Sequence, residues 1–238
     1  MPETTEYFCV DRIVSPEDGW LANQKAIEEN PENRSPFEAT LLRSNRWRLG
    51  RTLHVAFLEG SPILQQKVAS YAQQWCQYAN ITFLFDHHPE AEIRITFQPG
   101  KIGTWSDIGT DALLIPTNQP TMNYSQLTAD SPDEAFSYYV LHEFGHALGL
   151  LHEHQSPEVD IQWNKAVVKK YYAGYSDLWL ETNIFTRYKY SQTRSSTFDP
   201  YSIMLYHIPK ELTLNGFETQ INTTLSKADK RFIQQWYS

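Results

Sequence analysis

One short segment of the chain contains the pattern H-E-x-x-H-x-x-G-x-x-H without a gap. In a helix, residues four apart lie on one face, so His142 and His146 can chelate the same ion while Glu143 lies on the adjoining face. A continuous helix would carry His152 away from that ion. Gly149 supplies the turn that brings it back, because glycine adopts positive φ at no steric cost. The spacing predicts three histidine ligands around one metal ion.

These residue types are typical of a catalytic zinc site. Three neutral imidazoles suit zinc, and three protein ligands leave one position for water. Zinc lowers the pKa of that water towards about 7, and a neighbouring carboxylate, here Glu143, can take the proton while the water attacks a carbonyl. Short H-E-x-x-H matches arise by chance, but the full pattern is far rarer. We therefore expect one catalytic Zn²⁺ held by His142, His146 and His152, and hydrolysis as the reaction.

Several elements are predicted to position this site. Ser131 is expected to cap the helix that carries the motif, with Pro132 at its first position. Hydrophobic periodicity predicts two strands with an amphipathic helix between them, a third strand with one solvated face, and a terminal helix capped by Ser226. In chain order these elements are 53–57, 61–78, 81–85, 92–97 and a helix from Lys227.

The composition indicates a compact chain with an acidic surface. Of its 238 residues 41% are hydrophobic, and the formal net charge is -8. Because nucleic-acid binding needs a basic face, we expect no nucleic-acid partner. No segment reaches the roughly 18 apolar residues of a membrane helix, and residues 1–8 lack the basic and apolar regions of a signal peptide. We therefore expect no membrane partner, and a chain that stays in the cytoplasm or is exported without a classical signal peptide.

Two cysteines, Cys9 and Cys76, are too few for a disulfide-stapled scaffold. A single bridge between them remains open, but the helical pattern around Cys76 favours a buried thiol there. Cys9 has a second interpretation. A thiolate is a strong zinc ligand, so the N-terminal segment could place Cys9 at the open metal position and keep the site latent. The alternative is an apolar residue buried between Phe8 and Val10.

Further motifs lie on either side of the histidine pattern. Glu153 directly follows the third histidine, 202–206 reads S-I-M-L-Y, 103–109 reads G-T-W-S-D-I-G, and 225–229 reads L-S-K-A-D. Together with the zinc motif they resemble the metzincin metallopeptidases, and most of all the astacin branch, in which the corresponding segments are S-I-M-x-Y, G-C-W-S-x-x-G and L-S-x-x-D. The resemblance covers roughly residues 46–238.

The resemblance implies an α+β, metzincin-type zincin fold. Its upper lobe, about 46–149, would hold a twisted mixed sheet and two long helices. Its lower lobe, about 150–238, would be mostly irregular with a C-terminal helix, and 1–45 would be an N-terminal extension whose role the sequence leaves open. The strand 92–97 would be the sheet edge that lines the cleft and binds an extended peptide, unless that edge is covered.

The resemblance also implies roles for individual residues. Met204 would form a hydrophobic floor beneath the metal, as the Met-turn residue. Tyr206 is a candidate catalytic residue that donates to the oxyanion and a candidate additional zinc ligand, the alternative being a buried tyrosine bonded elsewhere. Thr104 stands where the family has a cysteine, so the usual disulfides are expected to be absent. In mature astacins the glutamate at the position of Glu153 contacts a buried new N-terminus, and its role here is left open.

We therefore interpret the chain as a zinc metalloendopeptidase that acts on peptide or protein substrates, with Glu143 as general base. Two alternatives remain: a zinc hydrolase specialised for one peptide-like amide, and a catalytically silent binding module. An intact Glu143 disfavours the binding module, which has no need of a general base. We expect a monomer.

Overall fold

The computed structural model describes residues 9–10, 12, 14–33, 45–99, 103–188 and 197–238. Its strands are β1 (Thr52–Phe57), β2 (Thr82–Phe85), β3 (Ile93–Thr96), β4 (Trp105–Ser106) and β5 (Met122–Asn123). They form one mixed sheet in the order β2-β1-β3-β5-β4, in which only the β4–β5 pair is antiparallel. The predicted α+β class is confirmed.

The described residues also form six α-helices. They are α1 (Pro16–Glu29), α2 (Pro62–Ala72), α3 (Asp133–Ala147), α4 (Lys165–Tyr171), α5 (Asp177–Leu180) and α6 (Lys227–Trp236) within the described residues. The helix predicted for 61–78 ends at Ala72, and a single 3₁₀ turn, Trp75–Gln77, follows it. This turn buries the Trp75 indole, which donates to the backbone carbonyl of Leu141 on α3. None of the helices in these residues is long and apolar enough to cross a membrane.

The expectation that strand 92–97 forms the sheet edge is wrong. β3 lies between β1 and β5, and all four of its residues are buried. The alternation of polar and apolar residues in β3 does not mark a solvated face, because Arg94 is only 4% exposed. Its guanidinium donates to the backbone carbonyls of Gln119, Ala91 and Ile115. A buried charged group requires such partners, so Arg94 anchors the following loop instead of facing solvent. The two edge strands of this sheet are β2 and β4.

α3 carries the histidine motif through the centre of the molecule. Every residue of α3 from Ala135 to Ala147 is buried. The N-cap is Pro132, not the predicted Ser131, whose hydroxyl instead accepts a bond from the backbone N–H of Thr128. A proline N-cap offers no side-chain acceptor, so tertiary burial rather than capping fixes where α3 begins.

α6 holds the segment beneath the site. Ser226 and Asp229 form the predicted capping box, and the Asp229 carboxylate also accepts bonds from the Ser202 hydroxyl and the Ile203 backbone N–H. At the other end of α6 the Tyr237 hydroxyl donates to the Leu148 carbonyl just past α3. The C-terminal helix therefore links the segment at Ser202 and Ile203 to the end of α3.

The N-terminal extension packs on the same body. α1 begins with Ser15 as its N-cap, and just after α1 the Asn33 amide donates to the carbonyls of Ala26 and Arg46. Asn45 bonds to Ile108, Thr110 and Asp111 of the loop that follows β4. The division of the chain near residue 45 stays a prediction, and residues 1–8, where no signal peptide is expected, lie outside the described residues.

Candidate metal centre and active site

The three motif histidines converge on one point. The distances between their Nε2 atoms are 3.2 Å for His142 and His146, 3.0 Å for His146 and His152, and 3.2 Å for His152 and His142. Ligands in a tetrahedron with Zn–N bonds of about 2.0–2.1 Å lie about 3.3 Å apart. The triangle is therefore close to the size that zinc requires, with the three nitrogens converging on one side of α3.

Backbone carbonyls orient two of these rings. The Nδ1 atom of His142 lies 2.8 Å from the carbonyl oxygen of Ile203, and that of His146 lies 2.9 Å from the carbonyl oxygen of Leu150. Carbonyls only accept, so both Nδ1 atoms carry the proton and both Nε2 lone pairs are available to a metal. Such outer partners fix tautomer and ring orientation in metal sites.

The turn after α3 brings in the third ring. Gly149 has φ +89°, which favours glycine, and a Cβ there would lie 3.2 Å from the carbonyl oxygen of Asn45. Burial, together with the nearby His142, holds the pKa of His152 well below its usual range, so this imidazole is neutral. Neutral, oriented imidazoles are the donor set that zinc prefers, and the residues present fit the metal.

Cys9 lies inside this site. Its Sγ and the nitrogens of the three histidines all lie within 4.8 Å of one another. The same Sγ donates to Oε2 of Glu143 at 3.4 Å, and both side chains are buried. The Glu143 carboxylate and the Cys9 thiol therefore lie side by side, next to the three histidine nitrogens. A bridge from Cys9 to Cys76 does not form, since both residues are thiols, and Cys76 is half-buried with burial raising its pKa.

The segment around Cys9 is held as an added strand. Cys9 pairs with Thr104 in a parallel bridge, and the Val10 backbone N–H donates to the Thr104 carbonyl at 3.0 Å. Arg12 then reaches Asp107, with 3.4 Å between Nη1 and Oδ2, and lies over the ring of Trp105 at 4.4 Å. The N-terminal extension therefore pairs with the chain at Thr104, directly before the edge strand β4.

Tyr206 and Met204 take up different positions in the site. Tyr206 is buried, its ring centre is 4.3 Å from that of His152, and its hydroxyl donates to the backbone carbonyl of Cys9. Met204 is buried under α3, where a Cβ added to Gly145 would overlap its Sδ atom. Met204 thus packs as a floor, while the Tyr206 hydroxyl faces the cleft.

Glu153 lies away from the cleft, in the base of the site. Its Oε1 atom accepts from the Asp199 backbone N–H at 2.8 Å. Burial raises its pKa to about 7, and the nearby carboxylates of Asp229 and Asp199 add to this rise. In the described residues Glu153 therefore supports the segment that leads to the Met-turn.

One further residue of the site carries no signal in the sequence. The sequence favours a surface or packing role for His154, less clearly than for the other histidines outside the motif because it is close to the site, and in the structure it is buried with its ring 4.4 Å from that of Tyr206. Its spacing from the other histidines does not indicate metal binding, since it stands only two residues after His152.

Fold and site together define a zinc peptidase whose buried helix supplies two histidines and whose following turn supplies the third. The family model for Astacin, described as a peptidase family, matches residues 42–236. The chain therefore belongs to the astacin family of zinc metallopeptidases. The predicted resemblance and the expected catalytic zinc are confirmed at the level of the family.

Solved structures agree with this assignment. One described as "Structure of myroilysin" is 44% identical with a TM-score of 0.79, and the match covers 82% of this chain and 97% of that one. A second, "Crystal structure of myroilysin", is 38% identical with a TM-score of 0.66, covering 97% and 99%. The hatching enzyme High choriolytic enzyme 1 of the medaka Oryzias latipes, at 16% identity and a TM-score of 0.54, shares the fold over 86% of this chain and 98% of its own.

A curated relative gives a shorter match. Serralysin B of Dickeya chrysanthemi is 29% identical over a match of 125 residues, and the match covers 48% of this chain. The matched region spans 26% of serralysin B, about a quarter of that protein.

Proposed function

We propose that the chain is a metalloendopeptidase that cleaves peptide bonds within extended segments of protein substrates, and that the fold described here is its latent form. The observation that carries the proposal is the convergence of three histidine Nε2 atoms on one point beside a buried carboxylate, Glu143. When bound there, zinc would acidify a water molecule and polarise the scissile carbonyl.

The chain's own residues supply the remaining chemistry. Glu143 takes the proton of the attacking water and passes it to the leaving amine, and its burial keeps competing solvent away. Tyr206, whose hydroxyl now donates to the carbonyl of Cys9, is placed to donate to the oxyanion of a substrate bound in the same position. His142, His146 and His152 hold the metal, and Met204 supports α3 from below.

The edge strand β4 supports an extended peptide as the substrate. The Thr104 carbonyl accepts a backbone bond from Val10, so this edge already binds one extended segment. Backbone pairing of this kind imposes little side-chain selection, which favours many protein substrates over a single peptide-like amide. The binding-module alternative is not favoured, because the family is enzymatic.

Cleavage profiling tests this proposal. The activated chain should cut a denatured proteome at many sites, and the Glu143→Gln variant should cut at almost none. Cleavage limited to one small amide, with intact proteins left uncut, would favour the specialised hydrolase instead.

Latency rests on Cys9. Its thiolate would complete a four-ligand zinc site with the three histidines, and a closed site of this type is structural, with no position for water. The N-terminal extension would then block the cleft until it is displaced or removed.

Alkylation gives a readout of latency that does not depend on activity. In a Cys76→Ser background, Cys9 of the full chain should react with iodoacetamide much more slowly with zinc than after the metal is removed. Equal rates with and without zinc would show that Cys9 does not bind the metal.

A further inference from the structure

We infer that His154 is a positioning residue for Tyr206, and that its stacked ring holds the phenol in place while the hydroxyl changes its hydrogen-bond partner. This inference rests on the proposed role of Tyr206 at the oxyanion. The observation behind it is a cluster of three rings, His152, Tyr206 and His154, in which the His154 ring is stacked on the phenol.

The Tyr206 ring contacts two imidazoles, whose own ring centres are 5.4 Å apart. Its centre is 4.3 Å from that of His152, at an interplanar angle of 59°, and 4.4 Å from that of His154, at 26°. The His154 ring is therefore nearly parallel to the phenol and covers one of its faces. His154 is 4% exposed, so this face is closed to solvent.

His154 is itself held rigidly. Its Nε2 atom lies 3.0 Å from the backbone carbonyl oxygen of Asn183, so Nε2 carries the proton and donates. Asn183 belongs to a π-helical turn, Glu181–Phe185, and its amide donates to the carbonyl of Trp179. The neighbouring Gln155 amide donates to Thr182 in the same turn. π-Helical turns are rare and often occur at functional sites.

The same contacts argue against a ligand role for His154. The metal-binding cluster within the described residues consists of Cys9, His142, His146 and His152. With Nε2 directed at Asn183, the His154 imidazole presents its flat face, not this nitrogen, to the active-site tyrosine.

The rigid His154 ring can keep the Tyr206 phenol in position during the reaction. In the latent fold the Tyr206 hydroxyl donates to the Cys9 carbonyl, and during hydrolysis it would donate to the oxyanion. A hydrogen-bond donor stabilises a transition state best when it already points to where charge develops. If the phenol ring keeps its position while its hydroxyl changes from the Cys9 carbonyl to the oxyanion, no reorganisation step is needed. The His154 ring provides this support, since it is stacked on one face of the phenol.

Two variants of His154 test its stacking on Tyr206 and its hydrogen bond to Asn183 separately. His154→Phe keeps a stacking ring and loses the bond to Asn183, whereas His154→Gln keeps a donor and loses the ring. All variants are made in the full chain with Cys9→Ser, so that the thiol no longer competes at the metal. His207→Gln, which changes the residue after Tyr206, is the matched control.

The kinetic prediction is a loss in turnover. His154→Gln should lower kcat by about 3-fold to 30-fold, less than complete loss of an oxyanion donor, with KM changed less than about 2-fold. His154→Phe should keep at least about a third of kcat, and His207→Gln should match the parent. In a Tyr206→Phe background, His154→Gln should have little further effect, because residues that act together are not additive.

A spectroscopic measurement gives a second readout. With 3-fluorotyrosine at position 206 of the full chain, the ¹⁹F resonance should be similar in the parent and His154→Phe, and should shift or broaden in His154→Gln. Unchanged ¹⁹F spectra, or a loss of kcat in His154→Gln that is equally large in the Tyr206→Phe background, would overturn the inference. A Tyr206→Phe chain as active as the parent would overturn the role of Tyr206 and this inference together.

Discussion

Removal of the Cys9 thiol should release the active site only in part. Cys9→Ser changes one atom of the residue, and a serine hydroxyl stays protonated at neutral pH and does not replace a thiolate as a zinc ligand. The backbone of residue 9 is unchanged. The contacts that hold the extension on β4 therefore remain, and they determine how much latency is left.

These remaining contacts can be given a magnitude. They are the backbone hydrogen bond between Val10 and Thr104, the hydrogen bond from the Tyr206 hydroxyl to the Cys9 carbonyl, and the Arg12–Asp107 ion pair. A hydrogen bond contributes about 0.5–1.5 kcal/mol net, and an ion pair with a 38% exposed arginine contributes at most about 1 kcal/mol after solvent screening. Together they hold the segment by roughly 1–4 kcal/mol, which is about 5-fold to several-hundred-fold in the closed-to-open ratio.

We therefore expect Cys9→Ser to raise the rate of hydrolysis of a quenched peptide by at least about 10-fold at equal zinc content. Adding Arg12→Ala to Cys9→Ser should raise the rate by about a further 2-fold to 5-fold. Cys76→Ser is the matched control and should leave the rate unchanged. The reasoning is refuted if Cys9→Ser is no more active than the parent at the same zinc content.

Three further predictions concern other parts of the site. Tyr206→Phe in the Cys9→Ser background should keep its fold and zinc but lose about 10-fold to 1000-fold in kcat, and full activity would leave Tyr206 a packing residue. Burial raises the pKa of Asp107 to about 7, although the nearby Arg12 opposes this rise. The fold therefore favours the protonated carboxyl. The stability that this form contributes is fully present below about pH 4 and is lost as pH rises through about 7. Asp107→Asn should therefore raise the Tm of the full chain at pH 8 and change it little at pH 4, whereas an equal shift at both pH values would contradict the raised pKa. Gly145→Ala should destabilise the fold by about 1–3 kcal/mol in urea unfolding, because the added methyl meets Met204, and the loss should shrink when Met204→Ala makes room.

The chemistry of the site could be predicted from the sequence because its residues are local. His142, Glu143 and His146 lie within one and a half turns of a helix, and Gly149 provides the positive φ that the following turn requires. The cap of α6 was predictable for the same reason, since Ser226 and Asp229 are three residues apart.

Features that depend on tertiary contacts were harder to predict. The place of β3 in the sheet was wrong because Arg94, which reads as solvated, is buried against carbonyls from residues up to 25 positions away. Ser131 is not the N-cap of α3, because tertiary burial rather than a side-chain cap determines where this helix begins. Cys9 could be named as a candidate ligand, but only the pairing with Thr104 brings its thiol to a glutamate 134 residues along the chain.

The central claim is that three histidines hold a catalytic zinc and that Glu143 activates the water. Its most direct test is Glu143→Gln in the Cys9→Ser chain, with zinc content and peptide hydrolysis measured on the same sample. Glutamine keeps the size of the side chain and cannot accept the proton. We expect one zinc per chain and a loss of turnover of about 100-fold or more. Stoichiometric zinc with unchanged turnover would contradict the account.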